Sequence, residues 1–112
     1  MRVSEALKIY EQSVNSYKAR LKELEIKDLI ELVQDLRLVN HPEIFKTSHD
    51  VLVNKKLLPL LKEVEALEKT VTERGLFILH KHIYEETGFR VDSKTLPSVA
   101  VRKMINEITN WS

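Results

Sequence analysis

The sequence contains no cysteine, and it has only 2 glycines and 3 prolines among its 112 residues. The lack of cysteine excludes disulfide bonds and cysteine-ligated zinc or iron–sulfur sites, and it is compatible with the cytoplasmic location that we predict. Two glycines are too few for a glycine-rich loop that holds a phosphate group. Because all-β domains need many turns, the scarcity of glycine and proline favours long helices.

The chain also lacks a long apolar run and an excess of charge of one sign. No stretch approaches the ~20 apolar residues of a membrane span, and the amphipathic N-terminus lacks the pattern of a signal peptide. Its 18 lysines and arginines balance 17 aspartates and glutamates, and the two signs occur in similar numbers in every quarter of the chain. We therefore expect no membrane association, and we do not expect nucleic-acid binding of the polycationic kind, because phosphate contacts supply most non-specific affinity.

The residues that are present fit one globular domain, residues 1–112. Hydrophobic residues make up 43% of the chain, which is close to the globular norm. The sequence shows no repeat, low-complexity tract or linker, so a second domain is not expected. The predicted fold class is all-α, a compact bundle of four to five helices that includes two long helices with heptad patterns.

The first long helix is predicted from about Ser4 to Glu25. Its apolar residues alternate at spacings of four and three, which is typical of a helix that packs along one seam. They are Val3, Leu7, Tyr10, Val14, Tyr17, Leu21 and Leu24. A break is predicted near Ile26, because Asp28 and Glu31 have the spacing of a capping box.

A second helix is predicted to run to about Val39, and residues 40–50 are interpreted as a packed connection. The other long helix is predicted to begin near Asp50 and to repeat the four-three spacing, with a kink or a restart at Pro59. Its apolar residues are Val53, Leu57, Leu60, Val64, Leu67 and Val71. Gly75 is predicted to end it in a left-handed conformation.

Residues 76–92 allow two interpretations. A helix with Leu76, Leu79 and Ile83 on its buried face is favoured, and Gly88 would end it. A β-hairpin of residues 76–84 and 89–92 is the alternative, since Phe77, Ile78, Ile83 and Tyr84 are common in strands. The last helix is predicted to begin near Pro97, because proline fits the first helical turn.

The candidate partner-binding residues are Tyr10, Val14, Tyr17 and Leu21, which belong to the first heptad pattern. Two interpretations stay open for this pattern. It is either the internal core of a bundle or an interface with a partner, since the same spacing serves both. Tyrosine suits an interface because its hydroxyl group can remain in contact with water.

The last third of the chain resembles a helix-turn-helix unit in outline, with a helix ending at Gly88 and a short amphipathic helix after it. Under this alternative the nucleic-acid-binding residues are Arg90, Lys94, Arg102 and Lys103. The connection from Gly88 to Pro97 is, however, long for such a unit.

No set of catalytic or metal-binding residues is complete. The sequence has no GxSxG turn, and the closely spaced His80 and His82 belong to no HExxH motif. We therefore predict no catalytic residue, no metal and no cofactor. The predicted function is a non-enzymatic adaptor, regulator or inhibitor that binds a protein partner or another copy of itself. The alternatives are a DNA-binding transcriptional regulator and a structural subunit of a larger assembly.

Overall fold

The computed structural model describes residues 1–111, and every regular element in this range is helical. The elements are α1 (Val3–Gln12), α2 (Val14–Glu23), α3 (Ile26–Leu36), α4 (Pro42–Val51), a π-helical segment (Leu52–Leu57), α5 (Leu58–Glu68), α6 (Glu73–Thr87) and α7 (Pro97–Thr109). The all-α prediction is confirmed, and residues 76–87 are helical instead of forming a hairpin. The described range contains more α-helices than the four to five that the sequence predicted.

The element that organises the bundle is a continuous helical rod formed by α4, the π-helical segment and α5. It runs from Pro42 to Glu68 and is about 40 Å long, in a molecule that measures 48 × 22 × 18 Å. Helices α2 and α3 contact α4, whereas α6 and α7 contact α5. Helix α1 lies outside this layer and packs on α2 and α3. The rod is therefore the common support of α2, α3, α6 and α7.

The first half of the rod occupies residues that we predicted to be a connection. Pro42 lies in the first turn of α4, where its missing N–H has no consequence, and the Nδ1 atom of His41 accepts a hydrogen bond from the Ile44 N–H at 3.2 Å. The prediction that a helix begins at Asp50 is wrong, because that residue lies inside α4. Histidine is an uncommon capping residue, which is why the pattern did not reveal this start.

The π-helical segment separates the two α-helical parts of the rod, α4 and α5. Leu52 and Leu57 are both fully buried and five residues apart, a spacing that suits the wide turn of a π-helix. The heptad pattern predicted Val53 in place of Leu52, but Val53 is only half-buried. Pro59 follows in the first turn of α5, so the wider turn precedes the proline and the rod continues through it.

The first predicted long helix is divided into two at Ser13. This residue has an extended backbone with φ −164° and ψ 119°, and its side chain accepts a hydrogen bond from the Ser16 N–H at 3.2 Å. Serine hydroxyl groups compete in this way with the helical ladder and start a new helix. The prediction of one helix from Ser4 to Glu25 is therefore wrong, although each half is helical.

Apolar stripes on α3 and α7 form part of the hydrophobic core. Helix α3 buries Leu29, Leu32, Val33 and Leu36, and α7 begins at Pro97 and buries Val101, Met104 and Ile108. The break before α3 lies at Leu24 and Glu25, and no side chain caps this helix. The predicted capping box at Asp28 and Glu31 does not mark the helix start, because both residues lie within α3.

A buried chain of hydrogen bonds links α2 to the rod. The Tyr17 hydroxyl lies 2.6 Å from Ser48 Oγ, and the Ser48 hydroxyl donates to the Ile44 carbonyl at 2.7 Å. Tyr17 and Ser48 are both fully buried. Burial raises the pKa of Tyr17 above 10.0, while the hydrogen bond with Ser48 acts in the opposite direction. The neutral tyrosine is therefore the form that this contact requires.

The two glycines have different roles. Gly88 ends α6 with φ 77°, and its N–H donates to the Tyr84 carbonyl at 2.8 Å, which confirms it as a left-handed helix end. Gly75 does not end a helix, because it lies in the first turn of α6. A Cβ atom added to Gly75 would meet the Val71 Cβ and lie 2.9 Å from Val71 Cγ1. The close approach of Val71 thus explains why residue 75 is a glycine.

We predict that Gly75→Ala lowers the free energy of unfolding by about 1 kcal/mol, as measured by urea denaturation. In an open helix the same change would raise stability by about 1 kcal/mol, but overpacking typically costs ~1–3 kcal/mol. In a Val71→Gly background the clash is absent, so Gly75→Ala should then raise stability. A stabilising effect of Gly75→Ala in the otherwise unchanged protein would contradict the close contact.

We also predict that the protein loses stability as the pH rises above 10, since the folded state holds the pKa of Tyr17 above its unfolded value of 10.0. The stabilisation is complete below pH 10 and disappears as the pH rises through the folded pKa. Tyr17→Phe should reduce this alkaline loss while costing about 0.5–1.5 kcal/mol near neutral pH. Denaturant unfolding from pH 8 to 11.5 measures both effects.

Tyr84→Phe is the matched control, because the Tyr84 side chain is 48% exposed and lies outside the core. This variant should keep the alkaline loss of the unchanged protein. An equal loss in the Tyr17→Phe variant would show that Tyr17 is not its source.

Candidate functional site

The predicted partner-binding residues do not share one exposed face. Tyr17 and Leu21 are fully buried, and Tyr10 is half-buried with its ring edge-on to Tyr17 at a centroid distance of 5.6 Å. Only Val14 is exposed, at 39% of its surface. Of the two interpretations of this pattern, the structure therefore places Tyr17 and Leu21 in the internal core.

The four cations of the DNA-binding alternative do not line one common groove. Arg90 and Lys103 line one groove of about 280 Å³, and acidic side chains at 92 and 107 line the same groove. Lys94 lies in a separate groove against α6. Arg102 forms an ion pair with Glu65 of α5, with Nη2 and Oε2 3.1 Å apart. These residues do not produce a continuous basic face.

The histidines each contact a different part of the protein. His49 is buried, and its Nε2–H donates to the Ile108 carbonyl at 2.7 Å, which connects the rod to α7. His82 lies 3.8 Å from a carboxylate oxygen of Glu63 on α5. Between Met1 and Trp111, no three histidine, aspartate or glutamate side chains come close enough together to bind a metal ion.

The largest concentration of exposed apolar side chains lies on α6 and the connection after it. Phe77 is 68% exposed, Ile78 64%, Leu96 52% and Tyr84 48%. Among residues 1–111, these four are half of the large hydrophobic side chains that are exposed. We call these four residues, together with Arg74, Lys81 and Glu85, the α6 surface.

The helical spacing of α6 explains why this surface is continuous. Phe77, Lys81 and Tyr84 follow one another at spacings of four and three, so they lie along one side of the helix. Leu79 and Ile83 lie on the opposite side and are buried against the bundle. The helix thus has a core-facing apolar stripe and a second apolar stripe that no other element covers.

The connection between α6 and α7 brings Leu96 to this surface. The Nε2–H of His80 donates to the Thr95 carbonyl at 2.7 Å, which holds the connection against α6. An Asx turn precedes this contact, because the Lys94 N–H donates to Asp92 Oδ1 at 3.0 Å. The result is a groove of about 330 Å³ whose walls include Phe77 and Leu96.

Charged side chains lie among the apolar residues of the α6 surface. Lys81 and Glu85 form an exposed pair with Nζ and Oε1 3.9 Å apart, in the favourable i, i+4 arrangement. Arg74 is exposed and has no ion-pair partner among the described residues. The surface therefore combines exposed aromatic rings with one unpaired cation.

Reasoning from the sequence missed the α6 surface. It identified Leu79 and Ile83 as the buried face, and it took Phe77, Ile78 and Tyr84 as evidence for a strand. The available signal was the spacing of Phe77 and Tyr84, which are seven residues apart and so share one side of a helix. That signal identifies an apolar stripe, but it does not say whether another element covers it.

No helix of the described chain is both long and apolar enough to cross a lipid bilayer. No family model, curated protein or solved structure matches the sequence or the fold.

Proposed function

We propose that this chain is a non-enzymatic cytoplasmic protein-binding domain, of the adaptor, regulator or inhibitor type, which binds its partner through the α6 surface. The observation that carries this proposal is the exposure of Phe77, Ile78, Tyr84 and Leu96 around a single helix. Contiguous exposed apolar side chains bordered by polar ones are characteristic of interaction sites. Scattered single apolar residues would carry no such meaning.

The types of residue on this surface agree with an interface. Aromatic side chains supply much of the binding energy of protein interfaces, since they bury a large area with few rotatable bonds. Phe77 and Tyr84 lie on one side of α6, and the groove beside Leu96 offers a recess for a partner side chain. Lys81 and Glu85 provide charges that are able to orient a partner.

The α6 surface is also supported from beneath. Leu79 and Ile83 are buried below the exposed stripe, and α6 contacts α3, α5 and α7. A helix fixed in this way presents its outer side chains without having to fold on binding, which reduces the entropic cost of association. The division of Arg90, Lys94 and Arg102 among separate environments favours this proposal over the DNA-binding alternative.

We predict that a photoreactive phenylalanine analogue at position 77 forms one discrete cross-linked product in cells that make the protein naturally. The matched control is the same analogue at Leu38, which is 89% exposed but lies outside the α6 surface. Because Phe77 is also exposed, neither change should lower the free energy of unfolding by more than about 0.5 kcal/mol.

The cross-linked products are separated by mass and identified by peptide sequencing. A discrete product from position 77 that is absent at position 38 supports the proposal. The same diffuse pattern from both positions would mean that the α6 surface binds no specific protein.

A further inference from the structure

The charged residues of the α6 surface are ordered along the helix. Arg74 lies in the first turn of α6 and Glu85 lies eleven residues later, close to its end. At about 100° per residue these positions differ by only about 20° around the helix, and they are about 16 Å apart along it. A cation therefore lies near one end of this side of α6, and an anion lies near the other end.

This order is self-complementary when two copies of α6 lie antiparallel. A two-fold axis that passes close to residue 80 exchanges the two ends of the helix. It brings Arg74 of each copy near Glu85 of the other, so that the cation without an ion-pair partner gains one. The antiparallel arrangement is also favourable for the dipoles of the two helices.

The same axis also places aromatic residues of the two copies opposite one another. Phe77 and Tyr84 lie at almost equal distances on either side of residue 80 and on one flank of the helix. In a symmetric pair each Phe77 therefore lies opposite the Tyr84 of the other copy. Aromatic pairs of this kind add stabilisation beyond the area that they bury.

We propose that the occupant of the α6 surface is a second copy of this chain, bound antiparallel through α6. This inference rests on the proposed function, because it names the partner of the same surface. Two features limit the affinity. Helix α6 is only about 22 Å long, so the interface is small. In addition, the Lys81 side chains of both copies lie close to the axis, where the neighbouring Glu85 of each copy offsets their like charges.

The test is sedimentation of the purified protein from about 1 μM to about 1 mM, the range in which a small interface dissociates. The unchanged protein should pass from the mass of one chain to the mass of two. Arg74→Glu alone and Glu85→Arg alone should each weaken the dimer about tenfold or more, because each places like charges opposite one another at two symmetric sites.

An equal mixture of the two single variants distinguishes self-association from other effects. In a mixed dimer each changed residue faces a residue of opposite charge, so the mixture should dimerise about as tightly as the unchanged protein. The double variant R74E/E85R should recover in the same way. Lys46→Glu is the matched control, because it makes the same change of charge at an exposed position on α4, and it should leave the dimer unaffected.

Three results would overturn the inference: a single-chain mass at every concentration, a dimer that Arg74→Glu and Glu85→Arg leave unaffected, or a mixture that stays as weak as the single variants. The cross-link at position 77 separates this failure from failure of the proposed function. A product of chain plus chain supports both proposals. A product with a different protein preserves the proposed function and overturns the inference, and the lack of any discrete product overturns both.

Discussion

Burial of the rod from Pro42 to Glu68 is the interaction on which the remaining structure depends. Short helices are only marginally stable in water, so α1, α2 and α3 need an apolar surface to pack against. The rod and the helices that it touches provide that surface through fully buried residues such as Ile44, Leu52, Leu57 and Val64. The Tyr17–Ser48 hydrogen bond then restricts how α2 is placed on the rod, because a buried hydroxyl requires a partner. The exposed side of α6 exists because this arrangement needs only one stripe of that helix for the core.

Reasoning from the sequence succeeded where one local signal determined the structure. Pro97 begins α7 because a proline in the first turn loses no hydrogen bond, and Gly88 ends α6 because its backbone is left-handed. It failed where a further local contact overrode the signal that it used. Ser13 ends one helix and begins another inside a regular apolar pattern. Gly75 looked like a helix end, although its lack of a side chain accommodates Val71.

The candidate site was harder to predict because packing between distant parts of the chain decides which side of α6 is covered. Apolar spacing identifies stripes on a helix, and α6 has two of them, but only the packing of the whole bundle determines which stripe is covered. Phe77 and Tyr84 are as apolar as many core residues, so composition gives no indication that they are exposed. Conversely, Tyr17 and Leu21 have the spacing of an interface and lie in the core. The sequence therefore indicated that the fold is helical and which residues form several core stripes, but it did not locate the exposed one.

The π-helical segment has a consequence for the orientation of the two ends of the rod. A uniform α-helix turns by about 100° at each residue, so its buried side advances at spacings of three and four. Leu52 and Leu57 are five residues apart, which is one residue more than the longer α-helical spacing. This extra residue changes the direction in which all later side chains of the rod point. Loss of a single residue from this segment would restore the α-helical phase and rotate α5 by about a quarter turn relative to α4. Leu60 and Val64 would then leave their buried positions, so the length of this segment is fixed by the core on both sides of it.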